Sequence, residues 1–325
     1  MIRAAIRAVD YHLPEARLSN DDLAREHPEW SVEKIASKTG IDERRIAAEG
    51  ECASDLAVAA ATKLFVRGVV QPDQVDYLLL CTQTPDHFLP TTACLVQSRL
   101  GLPTTAGALD LNLGCSGYVY GLGLAKGLVE SGQAERVLFL TADTYSKVLD
   151  REDKGVRTIF GDGAAATLIE RTEGDRDALG PFAVGTDGRG AEHLIVARGG
   201  FRHGPGGERP TLHMNGPEIF TFTLRVVPPL IAQLLERAAC RLDDVDLFVF
   251  HQANEFMLEH LRNKLRIPRE KFFVGMRRCG NTVSSTIPIA LCDAAAEGRL
   301  PSGARVMLVG FGVGYSWGAT LIRWP

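Results

Sequence analysis

Three side chains in this 325-residue chain have the types and settings that nucleophilic catalysis uses. Cys115 stands in Leu113-Gly114-Cys115-Ser116-Gly117, between a strand-like and a helix-like pattern. A strand-to-helix turn exposes its central side chain at the top of a sheet, and the helix start aims N–H groups and the positive dipole end at it. Both effects favour thiolate, so the thiol is expected below its free pKa of about 8.5. A structural cysteine at a packed helix start fits the same local pattern. A thiol nucleophile needs partners. His251 ends the apolar run Val245–Phe250, where an α/β sheet delivers functional side chains. A hydrogen-bonded histidine at a strand end reads the same way. Asn281, in Arg278-Cys279-Gly280-Asn281-Thr282, is either a third partner or part of a turn. Taken singly, none of the three is specific.

The elements around them alternate between strand and helix. Val75–Cys81, Gly107–Leu113, Arg136–Thr141 and Val245–Phe250 read as strands. Ala53–Val66, Val119–Glu130, Phe220–Ala239 and Glu255–Leu265 carry helical periodicity. The fold class is α/β with buried sheets. Short segments recur in order: Val75-Asp76-Tyr77 as Val245-Asp246-Leu247, Arg136-Val137-Leu138 as Arg305-Val306-Met307, and Ala166–Ile169 as Ala319–Ile322. The last pair is more closely spaced, which places an insertion near Asp143–Gly161. This indicates an internal duplication, with halves at 1–172 and 173–325. Gly185–Pro210, rich in Gly, Arg and His, is expected as an exposed loop or flap.

Composition excludes several classes. A net charge of −4 without a basic run gives no nucleic-acid surface. The start of the chain has no signal-peptide pattern, and no apolar stretch reads as a membrane span, so no membrane partner and a cytoplasmic location are expected. Seven scattered cysteines without a C-x-x-C pair argue against a zinc site or disulfide framework. His193, His203 and His213 are too irregularly spaced for a metal site. Gly310-Phe311-Gly312-Val313-Gly314 lacks the full dinucleotide fingerprint, and Phe160-Gly161-Asp162-Gly163 lacks the Lys-Ser/Thr of a P-loop and reads as a structural turn.

Together the motifs resemble those of the thiolase-like condensing enzymes, and within them the β-ketoacyl-acyl-carrier-protein synthase III group. They are Asn112–Gly117, Phe160–Ala164, His251–Asn254, Gly280–Thr282 and Gly310–Gly318, with Lys38–Ile41 and Thr91–Cys94. The resemblance implies a duplicated thiolase-like fold in five layers, αβαβα, and a homodimer. It implies an acyl-CoA starter carried on Cys115, then decarboxylative condensation with malonyl-acyl carrier protein or malonyl-CoA. His251 and Asn281 would stabilise the enolate. Backbone N–H groups of Cys115 and Val313 would hold the oxyanion, and Phe311 would line the decarboxylation site. No metal or redox cofactor is implied. Leu89 stands where acetyl-specific relatives place phenylalanine across the dimer interface, so either the pocket has room for a starter longer than acetyl or neighbouring side chains refill the space. Trp30, Lys38 and Lys154 match coenzyme A contacts, Lys154 in place of an arginine. Phe256 and Thr221 replace the Arg and Lys with which well-known relatives dock an acidic carrier. Val313 replaces the middle glycine of the family's glycine loop. An acyltransferase of the same fold, passing the acyl group to a hydroxyl or amine, is the alternative. A non-catalytic subunit would have lost Cys115, and Glu49 and Glu51 lack the setting that HMG-CoA synthase needs.

Overall fold

The computed structural model describes residues 1–174, 178–203 and 209–325. In chain order the elements are β1 (Ile2–His12), β2 (Ala16–Ser19), α1 (Asn20–Glu26), α2 (Val32–Thr39), β3 (Glu43–Ile46), α3 (Ala53–Val66), β4 (Tyr77–Cys81), α4 (Thr92–Arg99), β5 (Gly107–Leu111), α5 (Gly117–Glu130) and β6 (Arg136–Asp143). They continue with α6 (Lys154–Arg157), β7 (Gly163–Glu173), β8 (Leu179–Thr186), β9 (Leu194–Val196), β10 (Leu212–Met214), α7 (Gly216–Arg237) and β11 (Leu247–Phe250). The last are α8 (Glu255–Lys264), β12 (Phe272–Phe273), α9 (Thr286–Ala296), β13 (Arg305–Gly312) and β14 (Ser316–Arg323).

Two five-stranded sheets share one plan. The first runs β1-β7-β6-β4-β5 and the second β8-β14-β13-β11-β12. In each, the three strands at one end are parallel and the other two antiparallel. Equivalent strands therefore match one to one, as a duplicated chain requires.

Both faces of each sheet are covered, which is why the strands read as near-continuous apolar runs. On β6, Val137 and Phe139 point to one core while Leu138 and Leu140 point to another. On β13, Val306 and Leu308 share the first of these cores, and Met307 and Val309 face a third. The shared core holds α5 and α9, which pack between the sheets. Helices α3 and α4 cover the outer face of the first sheet, and α7 that of the second. The result is the five-layer αβαβα order.

One expectation is corrected here. Within Gly185–Pro210, Leu194–Val196 is a strand paired with β10, because its apolar residues find a partner in Leu212–Met214; positions 204–208 lie outside the described residues. Helix α7, 22 residues long, meets the length and composition of a membrane span. It is a core helix instead, burying Phe222, Val227, Leu230, Ile231 and Leu234 against the second sheet.

The central helix packs unusually close to its sheet. A Cβ on Gly121 of α5 would stand 2.1 Å from the Phe139 ring. Gly121→Ala is expected to cost about 1–3 kcal/mol by overpacking. The check is the urea midpoint of unfolding, which should fall; an unchanged midpoint would show that the layers can separate freely.

Candidate active site

Cys115 lies at the turn between β5 and α5, where the sequence places it. The turn is tight: the Gly117 N–H donates to the Gly114 carbonyl at 2.7 Å. The N-cap, Ser116, does not cap α5 with its side chain, because its hydroxyl bonds Ser316 Oγ of β14 at 2.6 Å. Strand β13 crosses directly over this turn. A Cβ on Gly310 would meet the Cys115 carbonyl at 2.8 Å, and one on Gly312 would meet Cys115 Sγ at 2.9 Å. The N–H groups of Cys115 and Val313 are both directed at the thiol.

The protonation expected for Cys115 is corrected. The thiol is 6% exposed, and burial pushes it up to about 12, with the Asp143 carboxylate adding to the rise. The two backbone donors oppose this without overcoming it. Helix-start reasoning left out enclosure, and the desolvation of a closed turn exceeds the dipole's pull.

His251 follows β11, and its N–H continues the ladder to the Val309 carbonyl at 2.8 Å. Its ring is 2% exposed, and burial holds its pKa down at about 3, so it is neutral. Nδ1 lies 2.7 Å from Thr286 Oγ1, the first residue of α9. Nε2 lies 3.4 Å from Asn281 Nδ2. Phe311 of β13 meets the imidazole edge-on at 5.6 Å. Thr286 has one hydroxyl proton. Given to the Val283 carbonyl 3.1 Å away, it makes Nδ1 the donor; given to Nδ1, it leaves Nε2–H beside the Asn281 amide. The second arrangement aims two neutral donors at one acceptor.

Asn281 is held by the first half of the chain. Its N–H donates to the Ile159 carbonyl at 2.9 Å, and its carbonyl accepts the Gly161 N–H at 3.0 Å. Gly161 is required there, since a Cβ would strike the Cys279 carbonyl at 2.2 Å. Phe160–Gly163 is thus a structural turn that pins the asparagine. Asp162 fixes this turn by accepting the N–H groups of Ala47 and Ser146.

A cavity of about 690 Å³ opens beside these segments. Lys34, Lys38 and Lys154 ring it, with Ile35, Ile159, Phe220 and Phe256 on its walls. Lys38 and Lys154 both line it. Trp30 is corrected: it is buried with Leu23 and Ile35, His27 stacks on its ring at 4.0 Å, and Lys154 Nζ sits 5.5 Å from it. Its faces are taken by neighbours, so it packs rather than offering a platform. Leu89 is 87% exposed and does not line this cavity. Phe256 and Phe220 form an aromatic patch with His260 in place of a basic one. Among the described residues, no group of three His, Cys, Asp or Glu side chains is placed to hold a metal ion.

Sequence reading missed Asp143, Ser284 and Thr286. An acid closing the apolar run Arg136–Ala142 was a visible signal, since a charge at the end of a buried strand needs partners.

Residues 109–188 match the family described as 3-Oxoacyl-[acyl-carrier-protein (ACP)] synthase III, and residues 235–324 match its C-terminal family. A β-ketoacyl-(acyl-carrier-protein) synthase III of Clostridium perfringens is 38% identical over 316 residues, covering 96% of each chain. A crystal structure of a 3-oxoacyl-(acyl-carrier-protein) synthase III is 55% identical, with TM-score 0.97, covering 99% of this chain and all of that one. The priming β-ketosynthase of the R1128 polyketide pathway is 28% identical with TM-score 0.92, covering 99% and 96%.

Because the Cys115 thiol is held up to about 12, its thiolate becomes more abundant as pH rises, and it remains a small fraction at neutrality. Alkylation of Cys115 by iodoacetamide should climb about tenfold per pH unit from pH ~7 to ~10. A plateau near pH 8 would contradict the burial effect. Gly312→Ala, which pushes a methyl against Sγ, should slow the same reaction about tenfold or more.

Proposed function

Since the chain belongs to the 3-oxoacyl-(acyl-carrier-protein) synthase III family, we propose that Cys115, His251 and Asn281 carry its decarboxylative Claisen condensation of an acyl-CoA with a malonyl thioester. The observation that supports these roles is the neutral His251–Asn281 pair, 3.4 Å apart and enclosed with Phe311.

In the first stage Cys115 attacks the acyl-CoA carbonyl. The new bond is the Cys115 thioester, and coenzyme A leaves as its thiol with the cysteine's proton. The tetrahedral oxyanion rests against the N–H groups of Cys115 and Val313. Val313 retains that N–H even though it lacks glycine's freedom. A high thiol pKa suits exchange between thioesters, because no standing thiolate is exposed to oxidants or stray electrophiles. In the second stage the malonyl carboxylate leaves as carbon dioxide. His251 Nε2–H and Asn281 Nδ2–H donate to the thioester oxygen as enolate charge develops there. Neutral donors bind that charge without having stabilised the substrate carboxylate beforehand. The enolate carbon attacks the acyl carbon, Cys115 leaves as thiolate, and it takes one proton. The steps are acyl transfer, decarboxylation and proton transfer, with no net oxidation or reduction, so neither metal nor redox cofactor is needed.

The three lysines around the cavity suit the phosphates of coenzyme A, and the apolar wall suits a pantetheine arm. We assign Lys38 and Lys154 to the cofactor end of the acyl donor, and acyl carrier protein as the malonyl carrier. A homodimer fits the outer edge strand β5 and the exposed Phe88 and Leu89. In that assembly Leu89 would line a neighbouring acyl pocket and admit chains longer than acetyl.

Intact-protein mass spectrometry with a panel of acyl-CoAs is the test. Wild type should gain one acyl mass that Cys115→Ala does not, and malonyl-acyl carrier protein should then discharge it as β-ketoacyl product. An adduct that persists in Cys115→Ala would overturn the role of the cysteine. Discharge to a hydroxyl or amine acceptor without carbon dioxide would overturn condensation. Lys38→Glu and Lys154→Glu should raise KM for acyl-CoA about three- to tenfold at low salt, more than they lower kcat.

A further inference from the structure

The loop that brings Asn281 to His251 is held by the opposite half of the molecule. Between Asn281 and α9 the chain makes one 3₁₀ turn, Val283–Ser285. Its hydroxyls reach into the first sheet. Ser284 Oγ donates to Asp143 Oδ2 at 2.7 Å. Ser285 Oγ lies 2.8 Å from Thr141 Oγ1 and donates to the Gly163 carbonyl at 3.2 Å. The second oxygen of Asp143 accepts the Gln83 N–H at 2.8 Å. Asp143 is the last residue of β6 and fully buried.

The turn is strained in a way that needs such anchoring. Val283 is β-branched and has φ +56°, where its Cβ crowds the backbone. A conformation of that kind persists only when its surroundings over-determine it. Here it turns the Val283 N–H onto Asn281 Oδ1 at 2.9 Å, which leaves Nδ2 facing the imidazole. Three residues on, Thr286 meets the other side of His251.

Asp143 also reaches the nucleophile's turn through Gln83, whose N–H it accepts and whose Oε1 lies where a Cβ on Gly114, the residue before Cys115, would stand 2.4 Å away. The ionisable groups facing it are Cys81 of β4, Cys115, Tyr145 and Asp162. It raises the thiol of Cys115, as a carboxylate in a buried site does to a neighbouring acid.

We infer that Asp143 is a positioning residue with opposite effects on the two half-reactions: as an acceptor it holds the Val283–Ser285 turn that sets Asn281 and His251, and as a negative charge it opposes ionisation of Cys115. This rests on the proposed roles of Cys115, His251 and Asn281. Burial brings the Asp143 carboxyl up to about 7, so it loses its charge, and its full acceptor capacity, as pH falls through that value. Decarboxylation should therefore decline on the acid side of neutrality through this residue.

The experiment compares Asp143→Asn with wild type in two assays on the full-length protein. One is carbon dioxide release from malonyl-acyl carrier protein by the acylated enzyme. The other is iodoacetamide alkylation of Cys115 at pH 8, read by peptide mass spectrometry. Carbon dioxide release should fall about 10- to 100-fold and lose its acid limb near pH 7, while alkylation rises about two- to tenfold. A residue that merely supports the fold would lower both. Rates that fall together, or unchanged carbon dioxide release, would overturn the inference. Should Asp143→Asn not fold by circular dichroism, Ser284→Ala carries the test. It should lower carbon dioxide release about three- to tenfold with alkylation within about twofold, and equal losses or none would overturn it. Asn281→Ala runs beside both. If it leaves decarboxylation intact, the assigned role of Asn281 fails; if it abolishes decarboxylation while Asp143→Asn does not change it, only the present inference fails.

Discussion

The contact between β13 and the turn at Cys115 is the constraint on which the site depends. Two sheets from two halves of the chain meet there at backbone distance, and only glycine at 310 and 312 permits it. That approach sets the thiol under the N–H of Val313, just past the end of β13, and two residues earlier stands Phe311 on edge against His251. A β-carbon at 310 would stand 2.8 Å from the Cys115 carbonyl and one at 312 would stand 2.9 Å from its sulfur, so either would press the strand away from the turn. The central layer of α5 and α9 can therefore be no thicker than this contact allows, which explains why α5 carries glycine where it meets Phe139.

Enclosure then decides the chemistry. Every group in the centre is buried, so ionised forms are expensive and neutral ones prevail. The thiol keeps its proton and the imidazole does not take one. What remains are dipoles: two backbone N–H groups on one side, an amide and an imidazole N–H on the other. Such donors are already oriented when charge develops, and they act at low dielectric. Asp143 is the exception, an acid buried within the same environment, and its proton affinity rises accordingly.

The sequence made the layers and the central residues legible because local rules govern both. Apolar runs at Val75–Cys81 and Val245–Phe250 contain strands buried on two faces, and His251 follows the second. His251 and Asn281 meet at 3.4 Å, and Cys115 stands against Gly312, the neighbour of the Phe311 that faces His251. What stayed hidden depends on contacts between distant segments. Ser284 meets Asp143 across 141 positions of sequence, and nothing near either residue announces the other. Trp30 was misjudged partly for the same reason, since Lys154, distant in sequence, sits over a ring on which the neighbouring His27 already stacks. The state of Cys115 was misjudged because a helix start is visible in sequence and enclosure is not.

The two sheets correspond strand for strand, yet the connection between one matching pair differs. Thr144–Asp162 joins β6 to β7, whereas Val313–Tyr315 alone joins β13 to β14. At this equivalent address, the short version delivers an N–H to the Cys115 sulfur, and the long version carries α6, whose Lys154 rims the cavity. Duplication thus gave the molecule two editions of one hairpin. The brief edition reaches the sulfur and the long one reaches the cavity, on the same architecture.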